Sequence, residues 1–264
     1  MERPVGIFDS GIGGLTVLKE LRRILPGERY LYFGDTGRVP YGNKGKLTVK
    51  RYSVEIANYL LMNYDIKALV VACNTASSVA LEGLKKLYRI PVFDVVSPAV
   101  LKAIGETKNG NVGVIGTDST VRSNTYKKLI KAHKRDVRVY QKACPLFVPI
   151  VEEGWVDHEI TEKIVFEYLS TLKKNRVDTL ILGCTHYPFM RGRIQSFLGD
   201  EVTIIDSAVN VAIEVNKYLG SANLLRPEKE GDICYLVTDD PESFKERGEQ
   251  LLGRRPENVV QVTL

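Results

Sequence analysis

The sequence predicts an α/β protein of two pseudo-symmetric three-layer units, each built on a mainly parallel sheet, with a site in the cleft between them. The first observation is a pair of matching stretches. Residues 66–77 read IKALVVACNTAS and residues 177–188 read VDTLILGCTHYP. Each is a short apolar run, a small residue, a cysteine, then Asn or Thr. Such runs are too short for helices and read as strands buried on both faces. The second observation is an independent pair at nearly the same offset. VGIFD at 5–9 and VGVIG at 112–116 lie 107 residues apart, and Cys73 and Cys184 lie 111 apart. A period of this size means two similar domains rather than a short-repeat solenoid. The predicted boundaries are residues 1–97 with 208–264 for the unit carrying Cys73, and 98–207 for the unit carrying Cys184.

The elements follow in order. Residues 3–8 form a strand, and DSGIGG at 9–14 a tight turn. Leu15, Leu18, Leu21 and Leu25 mark one face of a helix over 15–25. Thr16 stands where a dinucleotide fingerprint needs its third glycine, so that motif is excluded. A strand at 29–34 leads to the Gly-rich loop DTGRVPYGNKG at 35–45, which lacks the Walker pattern. Tyr41 in this loop is either a packing anchor or a wall of a pocket. A helix over 46–64 precedes the first cysteine strand, and a helix over 77–88 follows it. A strand at 90–96 and a helix from 97 close the first copy. The second copy runs strand 112–116, helix 120–132, strand 137–141, apolar run 146–151, helix 157–174 and the second cysteine strand. A strand at 201–206 and a helix at 209–219 follow. The tail, with strands at 233–237 and 259–263 around a helix at 242–252, has no partner in the repeat and is expected to extend the first sheet.

Composition narrows the function classes. The chain has 264 residues, 44% hydrophobic and 26% charged, with a net charge of +5. These are ordinary values for a globular protein. No apolar run has the length of a membrane span, and no signal peptide precedes the first strand, so a cytoplasmic protein without membrane contact is expected. Basic residues are dispersed, without a nucleic-acid motif. The four cysteines, 73, 144, 184 and 234, form no C-x-x-C pair and are expected as free thiols. Cys144 and Cys234 read as small buried hydrophobes. Of three histidines, His133 and His158 lie in charged surroundings and read as surface residues, which disfavours a histidine metal site.

Two thiols at equivalent strand ends suit proton transfer at carbon. Ligands of open α/β sheets bind at that edge. A helix N-terminus lowers a thiol's pKa, and both cysteines are expected to precede helices. One thiol could then take a proton from a carbon acid while the other returns one to the opposite face, inverting it. An α-amino acid is a natural substrate, and no cofactor is required. Asp9 is a candidate to contact an amino group or tune the first thiol, and His186 to assist the second. Asn74, Thr75 and Thr185 offer groups for carboxylates, or are ordinary helix caps.

DSGIGGLTV (9–17), GDTGRVPYG (34–42), ACNTAS (72–77) and LGCTHYP (182–188) together resemble the glutamate racemases of the cofactor-independent aspartate/glutamate racemase superfamily. The resemblance implies interconversion of L- and D-glutamate for peptidoglycan, in a homodimer, without cofactor or metal. It implies Cys73 and Cys184 as the acid–base pair, with Asp9, His186 and Glu152 assisting; Glu153 leaves that last register open. It implies substrate contacts by Asp9, Ser10, Pro40, Tyr41, Gly42, Asn74, Thr75, Thr117, Thr120, Thr185 and His186. Two other classes compete on residues alone. One is a single-thiol decarboxylase, isomerase or Cys–His hydrolase using Cys184 and His186, which leaves Cys73 without a purpose. The other is a carboxylate-binding protein, which would not need two thiols.

Overall fold

The computed structural model describes residues 3–264. The first half runs β1 (Val5–Asp9), α1 (Leu15–Ile24), β2 (Tyr30–Gly34), α2 (Lys46–Tyr64), β3 (Ala68–Val71), α3 (Asn74–Leu87), β4 (Val92–Asp94) and α4 (Val96–Glu106). The second runs β5 (Asn111–Gly116), α5 (Asp118–Ser123), α6 (Thr125–His133), β6 (Arg138–Ala143), α7 (Phe147–Glu152), α8 (Glu159–Lys174), β7 (Thr179–Gly183), α9 (Arg191–Leu198), β8 (Thr203–Asp206) and α10 (Ser207–Ser221). The tail adds β9 (Ile233–Val237), α11 (Pro241–Leu252) and β10 (Val259–Gln261).

Two sheets result. One has the order β10-β9-β2-β1-β3-β4 and the other β6-β5-β7-β8. The order β2-β1-β3-β4 is thus repeated strand for strand. Every pairing among the described residues is parallel. Central strands such as β1, β3 and β7 are buried along their whole length, as expected where helices cover both faces. Leu15, Leu18 and Leu21 of α1 pack with Val211, Val215 and Leu219 of α10 on one face of the first sheet. Val49, Ile56 and Leu60 of α2 and Ala76, Ala80 and Leu84 of α3 fill the other.

The connecting helices change partners. Helix α4 follows β4 of the first sheet yet packs, through Val96, Val100 and Ala103, against Val112, Val114 and Ile181 of the second. Helix α10 follows β8 of the second sheet yet packs on the first. Each sheet is therefore closed by a helix whose preceding strand belongs to the other.

Several elements differ from the sequence expectation. Helix α3 begins at Asn74 rather than 77, because the Ala76 amide donates to Cys73 Sγ (3.5 Å) and makes Cys73 the cap. Strand β4 stops at Asp94, whose carboxylate accepts from the amides of Val96 and Ser97 at 2.8 and 2.7 Å and starts α4 early. The single helix expected over 120–132 is two, broken at Asn124, which has φ 57°. Asn is among the few residues that tolerate this left-handed conformation.

An ion pair ties the returning chain to the edge opposite the cysteines. Lys67 Nζ lies 2.6 Å from Glu28 Oε2, and both side chains are nearly inaccessible. Lys67 also donates to the Leu224 carbonyl at 2.7 Å, and the Arg226 amide donates to Glu28 at 3.0 Å. Removing one partner leaves a buried charge uncompensated. Lys67→Met is expected to lower stability by about 3–5 kcal/mol in urea unfolding; a loss below about 1 kcal/mol, the scale of a surface pair, would show the pair to be dispensable.

Candidate active site

The cysteines stand at corresponding edges, each just beyond the strand next to the centre of its sheet. Cys73 follows β3 and Cys184 follows β7, and both are buried. Asp9 ends β1, immediately beside β3, and is completely inaccessible. Its Oδ2 accepts from the Gly11 amide at 3.0 Å. Its Oδ1 is buried with no hydrogen-bond partner among the described residues. Cys73 Sγ contacts Ser10 Oγ at 3.7 Å.

Burial governs this half of the site. It pushes the Cys73 thiol up to about 12, with the Asp9 charge adding to the effect and the Ala76 amide and Ser10 hydroxyl opposing it. The expectation that a helix start would poise this thiol near neutrality is therefore corrected, since desolvation outweighs the cap. Asp9 is itself shifted upward by burial, against the positive charge of His186 and the Gly11 amide.

The other half is electrostatically different. Cys184 does not cap a helix, contrary to expectation; a 3₁₀ turn, Tyr187–Met190, precedes α9. Its partner is His186, with Nδ1 at 3.9 Å from Sγ. His186 Nε2 lies 2.9 Å from Glu152 Oε1 at the end of α7. Burial alone would lower the imidazole pKa, but the hydrogen bonds and charges of Cys184 and Glu152 raise it to about 10. Burial acts to raise the Glu152 carboxyl, but the hydrogen bond and charge of His186, together with the charge of the nearby Arg247, bring it below its ordinary value. A carboxyl thus stands beside one sulfur and an imidazolium beside the other.

Hydroxyls and one glycine join the halves. Thr75 Oγ1 on α3 lies 3.0 Å from Thr117 Oγ1 and 3.2 Å from Thr120 Oγ1. The Tyr126 hydroxyl donates to Asn74 Oδ1 at 2.6 Å, and Thr16 Oγ1 donates to the Thr185 carbonyl at 3.2 Å. A Cβ built on Gly13 would fall 2.4 Å from Thr185 Oγ1 and 2.5 Å from His186 Nδ1. No side chain fits there without displacing Thr185 and His186. Pro40, Gly42, Thr117, Val148 and Glu152 line a cavity of ≈340 Å³. Tyr41 does not line it. Its ring is buried and its hydroxyl donates to Asp35, which makes it the packing anchor of the loop.

The family model described as Asp/Glu/Hydantoin racemase matches residues 16–214. A glutamate racemase of Geobacter metallireducens is 50% identical over 99% of this chain and 97% of its own length. The chain belongs to the aspartate/glutamate/hydantoin racemase family. Among solved structures, a glutamate racemase isoform from Bacillus anthracis superposes with TM-score 0.96 at 38% identity, covering 99% of this chain and 98% of that one. The Francisella tularensis glutamate racemase, crystallised with D-glutamate, gives 0.93 at 37% identity over 99% of this chain and 98% of its own.

Most racemase-like positions named from the sequence meet in this one region. Glu152 rather than Glu153 contacts His186; Glu153 is exposed. Cys144 is buried, and its carbonyl accepts from the Tyr187 hydroxyl at 2.8 Å. Cys234 lies on β9 of the tail. His133 and His158 are exposed, and His158 caps α8. Sequence reasoning missed Thr16, Tyr126 and Arg247. Thr16 lay inside a quoted motif, but its bond to a carbonyl 169 positions away leaves no local pattern.

Two outcomes follow from the burial of charge. Asp9→Asn removes a carboxyl whose burial is uncompensated on one oxygen, and is expected to raise the melting temperature by about 2–4 °C while reducing activity; a lower melting temperature would contradict this reading. A histidine held above its ordinary 6.5 contributes stability that is complete below that value and lost as pH rises through about 10. The stability advantage of the parent chain over His186→Asn in urea should therefore shrink steadily from about pH 7 to pH 10, and a constant difference would refute a raised His186.

Proposed function

We propose that the chain interconverts L- and D-glutamate, with Cys73 and Cys184 as the proton-transfer pair. The observation that carries the reading is the placement of two buried thiols at equivalent ends of two sheets of like strand order, each with a different ionisable neighbour. Such a pair can serve both faces of one carbon. A thiolate takes the Cα proton, so that Cα–H breaks and S–H forms. The electron pair left on carbon then takes a proton from the opposite thiol, which becomes a thiolate. No atom is gained or lost except by exchange with water, and no cofactor enters the step.

The remaining residues have distinct tasks. Asp9, with its unpartnered oxygen, takes the substrate ammonium or tunes Cys73. His186, held by Glu152, returns a proton to Cys184 or keeps positive charge beside it. Ser10, Asn74, Thr75 and Thr185 offer hydroxyls, an amide and backbone N–H groups to the α-carboxylate. Thr117, Thr120, Pro40 and Gly42 form the far wall, with Tyr41 contributing through its backbone. Glutamate rather than aspartate is chosen on the names of the relatives. D-glutamate would serve peptidoglycan synthesis.

We also propose that the two sheets mark two domains, 1–97 with 208–264 and 98–207, supported by the pairing of β9 with β2. A cytoplasmic homodimer that binds no nucleic acid is proposed on the motif resemblance. No helix among the described residues is long and apolar enough to cross a membrane. The Cys184–His186–Glu152 series resembles a hydrolase arrangement, but it gives Cys73, Ser10 and Asp9 nothing to do.

In deuterated water, either enantiomer of glutamate should acquire deuterium at Cα as optical activity decays. Cys73→Ala and Cys184→Ala should each lower racemisation by about 10²–10⁴-fold or more, the scale of a lost acid–base group. Full racemase activity in either variant would end the two-thiol mechanism.

A further inference from the structure

The tail was the part of the chain without a counterpart in the repeat, yet it reaches the site. Helix α11 presents Phe244, Arg247 and Leu251 at helical spacing for one face. Phe244 is buried in the core of the first sheet. Leu251 packs against that core and against the core of the second sheet. Between them, Arg247 Nη1 lies 3.3 Å from Glu152 Oε2. Glu152 uses its other oxygen on His186 at 2.9 Å, and His186 lies 3.9 Å from Cys184 Sγ. A guanidinium carried by the first unit thus ends a series of contacts that leads to the sulfur of the second.

As a stabilising contact this pair is minor. Arg247 is 45% exposed and Glu152 21%, and such pairs contribute about 0–1 kcal/mol. Its value lies in orientation. A carboxylate at the end of a short helix can rotate, and with one oxygen engaged only one remains for the imidazole. Arg247 and Glu152 also border a cavity of ≈130 Å³ with Gly11, Ile12, Ser243 and Phe244, directly behind the Gly-rich turn that carries Asp9.

We propose that Arg247 is a positioning residue for the Cys184 side of proton transfer, supplied by the tail and engaged only when the two units are closed on each other. It touches neither sulfur, and it acts by fixing Glu152 and through it the His186 ring. On the Cys73 side the tail contributes packing instead: Tyr235 and Phe244 lie against the Tyr32 ring, whose hydroxyl donates to the Gly11 carbonyl. The inference rests on the racemase reading above and refines it.

The test uses Arg247→Met and Arg247→Lys in the full-length protein, assayed in both directions with protiated and Cα-deuterated glutamate. Because the two enantiomers have equal energy, kcat/KM must fall equally in both directions, by about tenfold for Arg247→Met, a fraction of the ~10²–10⁴ supplied by a general acid–base group. The isotope effects need not move together. The substrate isotope effect should rise for the enantiomer whose Cα hydrogen faces Cys184 and should fall for its mirror image. Arg247→Lys should recover part of the loss. Adding Arg247→Met to His186→Asn should cost little more than His186→Asn alone, since the two act through one series of contacts. Isotope effects that shift alike for both enantiomers, a cost fully additive with His186→Asn, or a rise in KM with kcat unchanged would each overturn the proposal, the first two indicating a general structural role and the last a direct substrate contact. Parent protein that exchanges no Cα hydrogen would defeat the racemase reading itself; an active parent with an equally active Arg247→Met would defeat only the role of Arg247.

Discussion

Exclusion of water from ionisable groups is the constraint on which the cleft depends. Cys73, Asp9, Cys184 and His186 are all buried, and hiding the charge of Asp9 or His186 costs free energy unless partners compensate it. On one side burial wins: it shifts both the Cys73 thiol and the Asp9 carboxyl upward. On the other side partners win: Cys184 and Glu152 raise the His186 imidazole despite its desolvation. The two halves share a backbone plan while the ionisable neighbours of their sulfurs differ. Pseudo-symmetry in the fold does not carry over into symmetry of charge.

Much of this plan is legible in the sequence because it depends on local patterns. The buried runs ALVV and TLILG, the cysteines after them and the offset between copies mark β3, β7 and their common edge. The repeated order β2-β1-β3-β4 and β6-β5-β7-β8 is what such an offset means in three dimensions. The boundaries that moved did so for side-chain reasons that composition does not reveal. NTASS is a weak helix start on propensity, yet the Cys73 cap makes it one. Asn124 breaks a helix that its neighbours would have continued.

What was illegible depends on distance along the chain. The contact of Thr16 with residue 185, of Asn74 with Tyr126 and of Glu152 with Arg247 exist only after α4 and α10 have exchanged sheets. Arg247 is one of 37 basic residues, and no spacing distinguishes it. The pKa of Cys73 could not be read either, because a cap and burial act in opposite directions and their balance is set by packing.

The seam formed by Thr75, Thr117 and Thr120 has a consequence of its own. Each hydroxyl can give or receive a hydrogen bond. A seam of such interchangeable groups can trade one another for water, or for the oxygens of an entering anion, without any change in net charge. Parting and rejoining the units at this point therefore carries no proton inventory. Any effect of acidity on that movement must then enter elsewhere between the units, through charged contacts such as Glu152 with Arg247.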